Sequence, residues 1–274
     1  MAWTPEHRRR DAPAITEAVR ANAIVRLAAA VDAIDPPART GRPRLWSTLT
    51  MLRALWWLCR AGAARKPLPA TYPPRRSIGS RLGRWAGQAR GAGARPGRAQ
   101  RLPAPGARPR AAAQRRDPRH PERAHGPAAR PRGYDAAEKV EGRKRVPLTG
   151  TGGLIHAIRV VPASVQDRDT PAVIEPELAG GSLLEVRADL AFSGGAAAAP
   201  MIRRGIDLGP VGRMGRTGFE VEPERWRIEQ TFGVLGRYRR RLMDHEGGTA
   251  MSRVMAVLAA LFTAGDRFER QITA

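Results

Sequence analysis

The feature that most restricts the fold is a long gap in large apolar residues. Between 86 and 132, Leu102 is the only large aliphatic side chain, and Val, Ile, Met and aromatic residues are missing altogether. A strand or an amphipathic helix needs an apolar face to bury, so composition predicts a disordered segment rich in Arg, Pro, Gly and Ala. Codons for these four residues are built largely from G and C, so a GC-rich gene read out of frame would yield the same composition. Both origins stay open at this point. The gap divides the chain into 1–85, 86–132 and 133–274.

Charge narrows the partner. Lys and Arg number 48 against 25 Asp and Glu, a formal net charge of +23 with a sequence pI near 11.7. Such an excess points to a polyanion, most often nucleic acid. Hydrophobic residues are 42% of the chain, enough for a substantial core outside the gap. The single cysteine, Cys59, has no partner for an intrachain disulfide and belongs to no metal-ligand cluster. The apolar runs LTMLRALWWLC and VMAVLAALFTA are too short to span a bilayer, and MAWTPEHRRRD has no apolar signal core, so the expectation is a cytoplasmic protein without a membrane partner.

Periodicity and caps give the local elements. Residues 14–34 space apolar side chains three and four apart and predict a helix ending at Pro36-Pro37. The basic turn RTGRPRLWS, with Arg42 and Arg44, leads to a second helix that Ser47 can cap and Gly62 can stop. Two or three helices with an arginine-rich connection suit a small DNA-binding domain, and equally a helical subdomain with a solvated turn. Beyond the gap, RKRVPLT and LIHAIRVV predict a hairpin around GTGG, with Pro147 marking its first strand as an edge or a bend. PAVIEPELAG reads as a short helix, and LLEVRADLAFSGG as a strand whose end carries Asp189. Two closing helices fall at about 223–243 and 249–271. The order of elements predicts an α/β or α+β fold.

Two carboxylates stand out. Asp189 ends a strand before a glycine turn, where α/β folds gather reactive groups. Glu229 lies on a basic helix, in RWRIEQTFGVLGRYRRR. There it shares one side with Trp226, Gly233 and Gly236, while Ile228, Phe232 and Leu235 form an apolar stripe. Separated carboxylates brought together among arginines suit metal-assisted phosphoryl transfer. The structural alternative is a salt bridge from Glu229 to Arg225 one turn back, worth about 0.3–0.5 kcal/mol, with Asp189 capping its turn. Lys139, Arg143, Lys144 and Arg145 could contact a DNA backbone or simply line a solvated strand edge. His156, in LIHAIRV, reads as a strand residue, because none of the histidines has metal-ligand spacing.

Four motifs in order, GYDAAEKVEGRKR, GLIHAIRVVPASVQDRD, RADLAFSG and GFEVEPERWRIEQTFGVLGRYRRRLMDHE, resemble those of bacterial insertion-sequence DDE transposases of the IS-five family, within the IS-four/IS-five superfamily. TGRPRLWSTLTMLRALWWLCRAG, LPATYPP and Arg84-Trp85 resemble the helical domain that precedes the core in those enzymes. The resemblance implies an α/β, ribonuclease H-like core at 133–274, a helical DNA-binding domain at 1–85, and a candidate corrupted central strand within 86–132. It implies metal-dependent cleavage and strand transfer of an insertion sequence, with Mg²⁺ or Mn²⁺ at a two-metal site. An inactive DNA-binding remnant is the alternative.

By position, Asp189 matches the second aspartate of the family, Glu229 its glutamate and Asp117 the first aspartate. Arg225 matches the arginine of the signature around the glutamate, and Arg237 stands next to the position of its lysine. Glu222 and Gly236 replace the signature's tyrosine and lysine, and AAAQRR replaces the hydrophobic run before the first aspartate. Arg239 and Arg240 join the DNA-holding arginines. The implied partners are transposon terminal repeats and target DNA, in a homo-oligomer assembled on DNA at the bacterial nucleoid.

Overall fold

A computed structural model of the chain describes residues 17–36, 40, 43–62, 68–91, 110–113, 131–150, 152–178, 183–189, 194–211, 223–241 and 244–273. The first helix, α1, is Glu17–Ile34, and the second, α2, is Thr48–Ala61. The predicted caps of α2 are in place: the Ser47 hydroxyl accepts from the Thr50 N–H at 3.1 Å. At the other end Gly62, at φ 67°, donates its N–H to the Leu58 carbonyl at 3.2 Å. Only glycine holds that left-handed conformation without strain. Helix α3, Arg75–Gly91, follows and extends past residue 85.

Strand β1, Arg110–Ala113, lies inside the segment for which composition predicts no strand. It is the central strand of the sheet. On one side it pairs antiparallel with β3, Val140–Gly150, and on the other it pairs parallel with β5, Glu185–Asp189. Two backbone ladders hold it, and main-chain hydrogen bonds do not depend on an apolar side chain. That is the physical reason the composition argument fails at 110–113.

Strand β3 also pairs with β4, Ile155–Pro162, and its first residues pair with β2, Gly133–Asp135. Because β1 and β4 both pair with Leu148 and Thr149, they occupy opposite edges of β3. Strand β6, Asp207–Val211, pairs parallel with β5. The order is therefore β4-β3-β1-β5-β6, with β4 and β3 antiparallel and β1, β5 and β6 parallel. The hairpin forms where it is predicted, closed by Gly153 N–H to the Gly150 carbonyl at 2.8 Å, with Gly153 at φ 70°. Pro147 is not on an outer strand. It sits one residue before the β1 ladder begins, where among the described residues β3 has only β4 beside it, and next to a register shift at Leu148/Thr149. A missing N–H is tolerated at such a point.

The remaining helices are α4, Thr170–Ile174, α5, Gly195–Ile202, α6, Pro223–Gly236, and α7, Thr249–Thr273. Helix α5 and strand β6 are additions to the predicted elements, and α6 ends earlier than its expected limit. The sheet separates two apolar clusters. Val146, Leu148 and Val186 meet Ile174, Met201 and Ile206 in the smaller one. The larger joins α1, α2 and α3 to α6 and α7, through Leu52, Leu55, Leu58, Ile78 and Leu82 packed with Leu235, Met255, Leu258 and Phe262. The helices before the gap thus share a core with the last helix of the chain, and Cys59 is buried in it. Among the described residues no helix is long and apolar enough to cross a membrane.

Candidate active site and its basic surround

Asp189 is the last residue of β5, opposite Val211 of β6. Its neighbour Ala188 pairs with Ala113, the last residue of β1. Parallel strands end on the same side of a sheet, so Ala113, the last described residue of β1, lies at the same end as Asp189. Asp117 and Arg42 lie outside the described residues, as do the side chains of Asp189 and Arg225.

Glu229 is exposed on α6, and among the described residues it makes no ion pair. The predicted rotation of that helix holds: Leu235 is buried, Phe232 half-buried, and Gly233 exposed one turn after the acid. Among the described residues a Cβ at Gly233, one turn after Glu229, would meet nothing within 4 Å. Helix α6 packs on β1 and β3. Its next residues rest on the β3–β4 turn, where the Thr231 hydroxyl reaches the Gly153 carbonyl at 3.5 Å and Gln230 lies nearby.

The sheet register sets the level of Asp189 against that of the turn. Gly150, where the turn begins, is level with Ala111, whereas Asp189 is one residue beyond the level of Ala113. Those three residues of strand span roughly 10 Å. The backbone of Asp189 and the Gly150 end of the turn thus stand at different levels along β1. No group of three His, Cys, Asp or Glu residues able to hold a metal ion occurs among the described residues.

Several cations expected to face DNA are instead structural. The Arg143 guanidinium donates to the Asp244 carboxylate at 2.8 Å, with the two side chains 0% and 1% exposed. It also donates to the carbonyls of Glu246 at 3.0 Å and Pro131 at 3.1 Å. The Lys144 ammonium is buried against Asp167, Asp135 and the Val165 carbonyl. Arg145 is buried on the same strand. Arg240 is buried and donates to Glu246 at 2.8 Å. Arg44 is half-buried and bonds the Asp35 carboxylate and the carbonyls of Asp35 and Pro36. A buried guanidinium needs a partner, and here the acids of the Asp244–Glu246 loop supply it. The signal available in the sequence was LMDHEGG, a stretch with two acids directly after RYRRR. Lys139, Arg237 and Arg239 are exposed.

His156 stands on β4 with its ring against Gly150, where a Cβ would collide with it. Burial there lowers its pKa, which keeps the imidazole neutral over a wider pH range. Sequence reasoning overlooked Arg267 on α7. Its Nη1 donates to the Gly152 carbonyl at 2.9 Å, beside Gln230 and one residue along α6 from Glu229.

Residues 101–263, more than half of the chain, match the family model described as a transposase DDE domain. The matched span contains the whole sheet, Asp117, Asp189 and Glu229, and it begins after α3. No curated protein and no solved structure matches the chain.

Proposed function

Because the chain belongs to the transposase DDE-domain family, we propose that it binds the terminal repeats of an insertion sequence and catalyses their cleavage and transfer into target DNA. In the first step water breaks a P–O bond at the transposon end and leaves a 3′-hydroxyl. In the second that hydroxyl attacks a target phosphodiester, so one P–O bond forms as another breaks. The observation that supports this best is the placement of Asp189: it ends a strand parallel and adjacent to β1, within the matched span and at the same end of the sheet as Ala113. The strand order β4-β3-β1-β5-β6, with the last three parallel, supports a ribonuclease H-like core of the IS-five type.

Domains of this family generally use divalent metals. Asp189, Glu229 and Asp117 are oxygen donors of the type that Mg²⁺ or Mn²⁺ takes. No step is assigned to an ion. The chain's own contribution is electrostatic. Arg237, exposed just past the end of the helix that carries Glu229, would bind phosphate and offset the negative charge of the scissile strand. The N-terminal helices, which precede the matched span, are the proposed end-recognition unit, and two ends joined in one event call for at least two copies on DNA.

A second reading, binding of transposon ends without cleavage, is favoured by the sequence before Asp117, where AAAQRR stands in place of a hydrophobic run. One experiment divides the two. The purified chain is incubated with duplex DNA carrying its terminal repeats and Mg²⁺ or Mn²⁺, and nicked and joined products are resolved on a denaturing gel. The first reading expects products that disappear in Asp189→Asn while end binding survives. Products undiminished in Asp189→Asn would sink the site assignment, and specific binding with no products would establish the second reading.

A further inference from the structure

Arg267 stands on α7 past the end of the matched span, half-buried, with its guanidinium turned to the main chain. Other partly desolvated arginines of this protein meet an acid: Arg81 lies 3.7 Å from the Asp35 carboxylate, and Arg253, on the same helix as Arg267, is 2.5 Å from that of Glu177. Among the described residues Arg267 pairs with no acid. Its Nη1 donates to the Gly152 carbonyl at 2.9 Å. Burial lowers its pKa, and so do the like charges of Arg270 and Arg237. A charged donor holds a carbonyl more firmly than an amide or water does, so the consequence of this bond is sought in the turn.

Three elements grip that turn. Its own closure is Gly153 N–H to the Gly150 carbonyl and Gly150 N–H to the Leu154 carbonyl, both at 2.8 Å. From β4 the His156 ring occupies the space that a Cβ at Gly150 would take. From α6 the buried Thr231 hydroxyl reaches the Gly153 carbonyl at 3.5 Å. A Cβ at Gly153 would stand 3.4 Å from Arg267 Nη1 and 3.8 Å from Gln230 Oε1, so both helices close on this one residue. Two successive carbonyls therefore go to two helices, that of Gly152 to α7 and that of Gly153 to α6. Gln230 and Thr231 directly follow Glu229, so whatever fixes the turn fixes the part of α6 that carries the acid.

We infer that Arg267 is a positioning residue: by holding the Gly152 carbonyl it fixes the β3–β4 turn as the seat of α6, and so sets where Glu229 stands. It acts through the turn and not on DNA. This rests on the reading of Glu229 as a site residue.

The test is hydrogen–deuterium exchange on the full chain, read peptide by peptide, for the wild type, Arg267→Met and Arg267→Lys. Loss of a charged hydrogen bond should let the amides of 150–154 and 228–236 exchange about tenfold faster in Arg267→Met, while those of α2 in the helical core keep their rate. Arg267→Lys retains a charged donor and should restore most of the protection. Unchanged exchange over 228–236 in Arg267→Met would overturn the inference, and so would an acceleration shared equally by α2, which marks a general loss of stability. In a second arm, single-turnover cleavage of the terminal-repeat duplex should fall at least about tenfold in Arg267→Met at unchanged affinity, and recover in Arg267→Lys. Weaker affinity with unchanged cleavage at saturating DNA would make Arg267 a DNA contact and overturn the inference. A wild type that cleaves nothing defeats the cleavage reading alone, and the exchange data then decide the role of Arg267.

Discussion

Removing Asp244 tests the claim that a basic run expected to face DNA is part of the core. Arg143 Nη1 sits 2.8 Å from Asp244 Oδ2, and both side chains are shut off from water. In Asp244→Ala the guanidinium stays buried without its counter-charge, a loss of about 3–5 kcal/mol. The Glu246 N–H also loses its acceptor, Asp244 Oδ1 at 3.1 Å, which adds about 1 kcal/mol. Its remaining bonds to the Glu246 and Pro131 carbonyls offset part of this, so about 4 kcal/mol is a fair total. Against a net stability of about 5–15 kcal/mol this is a large fraction. With a urea slope of about 3 kcal/mol/M, the midpoint should fall by about 1.3 M. Tryptophan fluorescence can follow the transition, since the chain has six tryptophans, four of them packed on the helical core. The double replacement Arg143→Met/Asp244→Leu removes both charges and should recover most of the loss. A midpoint shift below about 0.3 M in Asp244→Ala, or no recovery in the double variant, would refute the reasoning.

Further outcomes follow from single contacts. Ser47→Ala removes the acceptor for the Thr50 N–H and should cost about 0.5–2 kcal/mol in the same urea assay. Gly62→Ala places a Cβ in the left-handed region, 2.8 Å from Arg239 Cβ, and should cost at least about 1–2 kcal/mol, with an unchanged midpoint counting against the geometry. Burial pushes the Tyr238 phenol from 10.0 up to about 12, so the folded state holds its proton more tightly than the unfolded state. The stability this contributes is complete below pH 10 and is lost as pH rises toward 12, on the order of 1–3 kcal/mol. Tyr238→Phe should flatten that alkaline loss in melts taken at successive pH values.

What could be read in advance was local. The α2 boundaries were legible because a serine hydroxyl and a left-handed glycine act within four residues of the helix they end. The hairpin was legible because GTGG separates two β-rich runs, and the placement of Asp189 at a strand end followed from the same kind of pattern. The amphipathic rotation of α6, with Glu229 outward and Leu235 inward, came from the helical period alone. Strand β6 was harder, since Gly209 and Pro210 break the apolar signal of a strand that its parallel neighbour holds in place.

The sequence by itself determined the helices with their caps, the hairpin, the excess of positive charge and the ordered motifs that place the chain among the transposase DDE domains. Only the tertiary structure decided that Arg110–Ala113 is a strand, because its two ladders come from partners far along the chain. Tertiary structure also decided which cations are buried: Arg143 meets its carboxylate across 101 residues, and no periodicity encodes such a pair. The place of Asp189 at the end of β5 beside β1 is set in the same way, by a parallel register, and that of the Glu229 helix by its packing on a distant turn. Ladder register and ion pairing act through space, so they appear only once the chain has closed on itself.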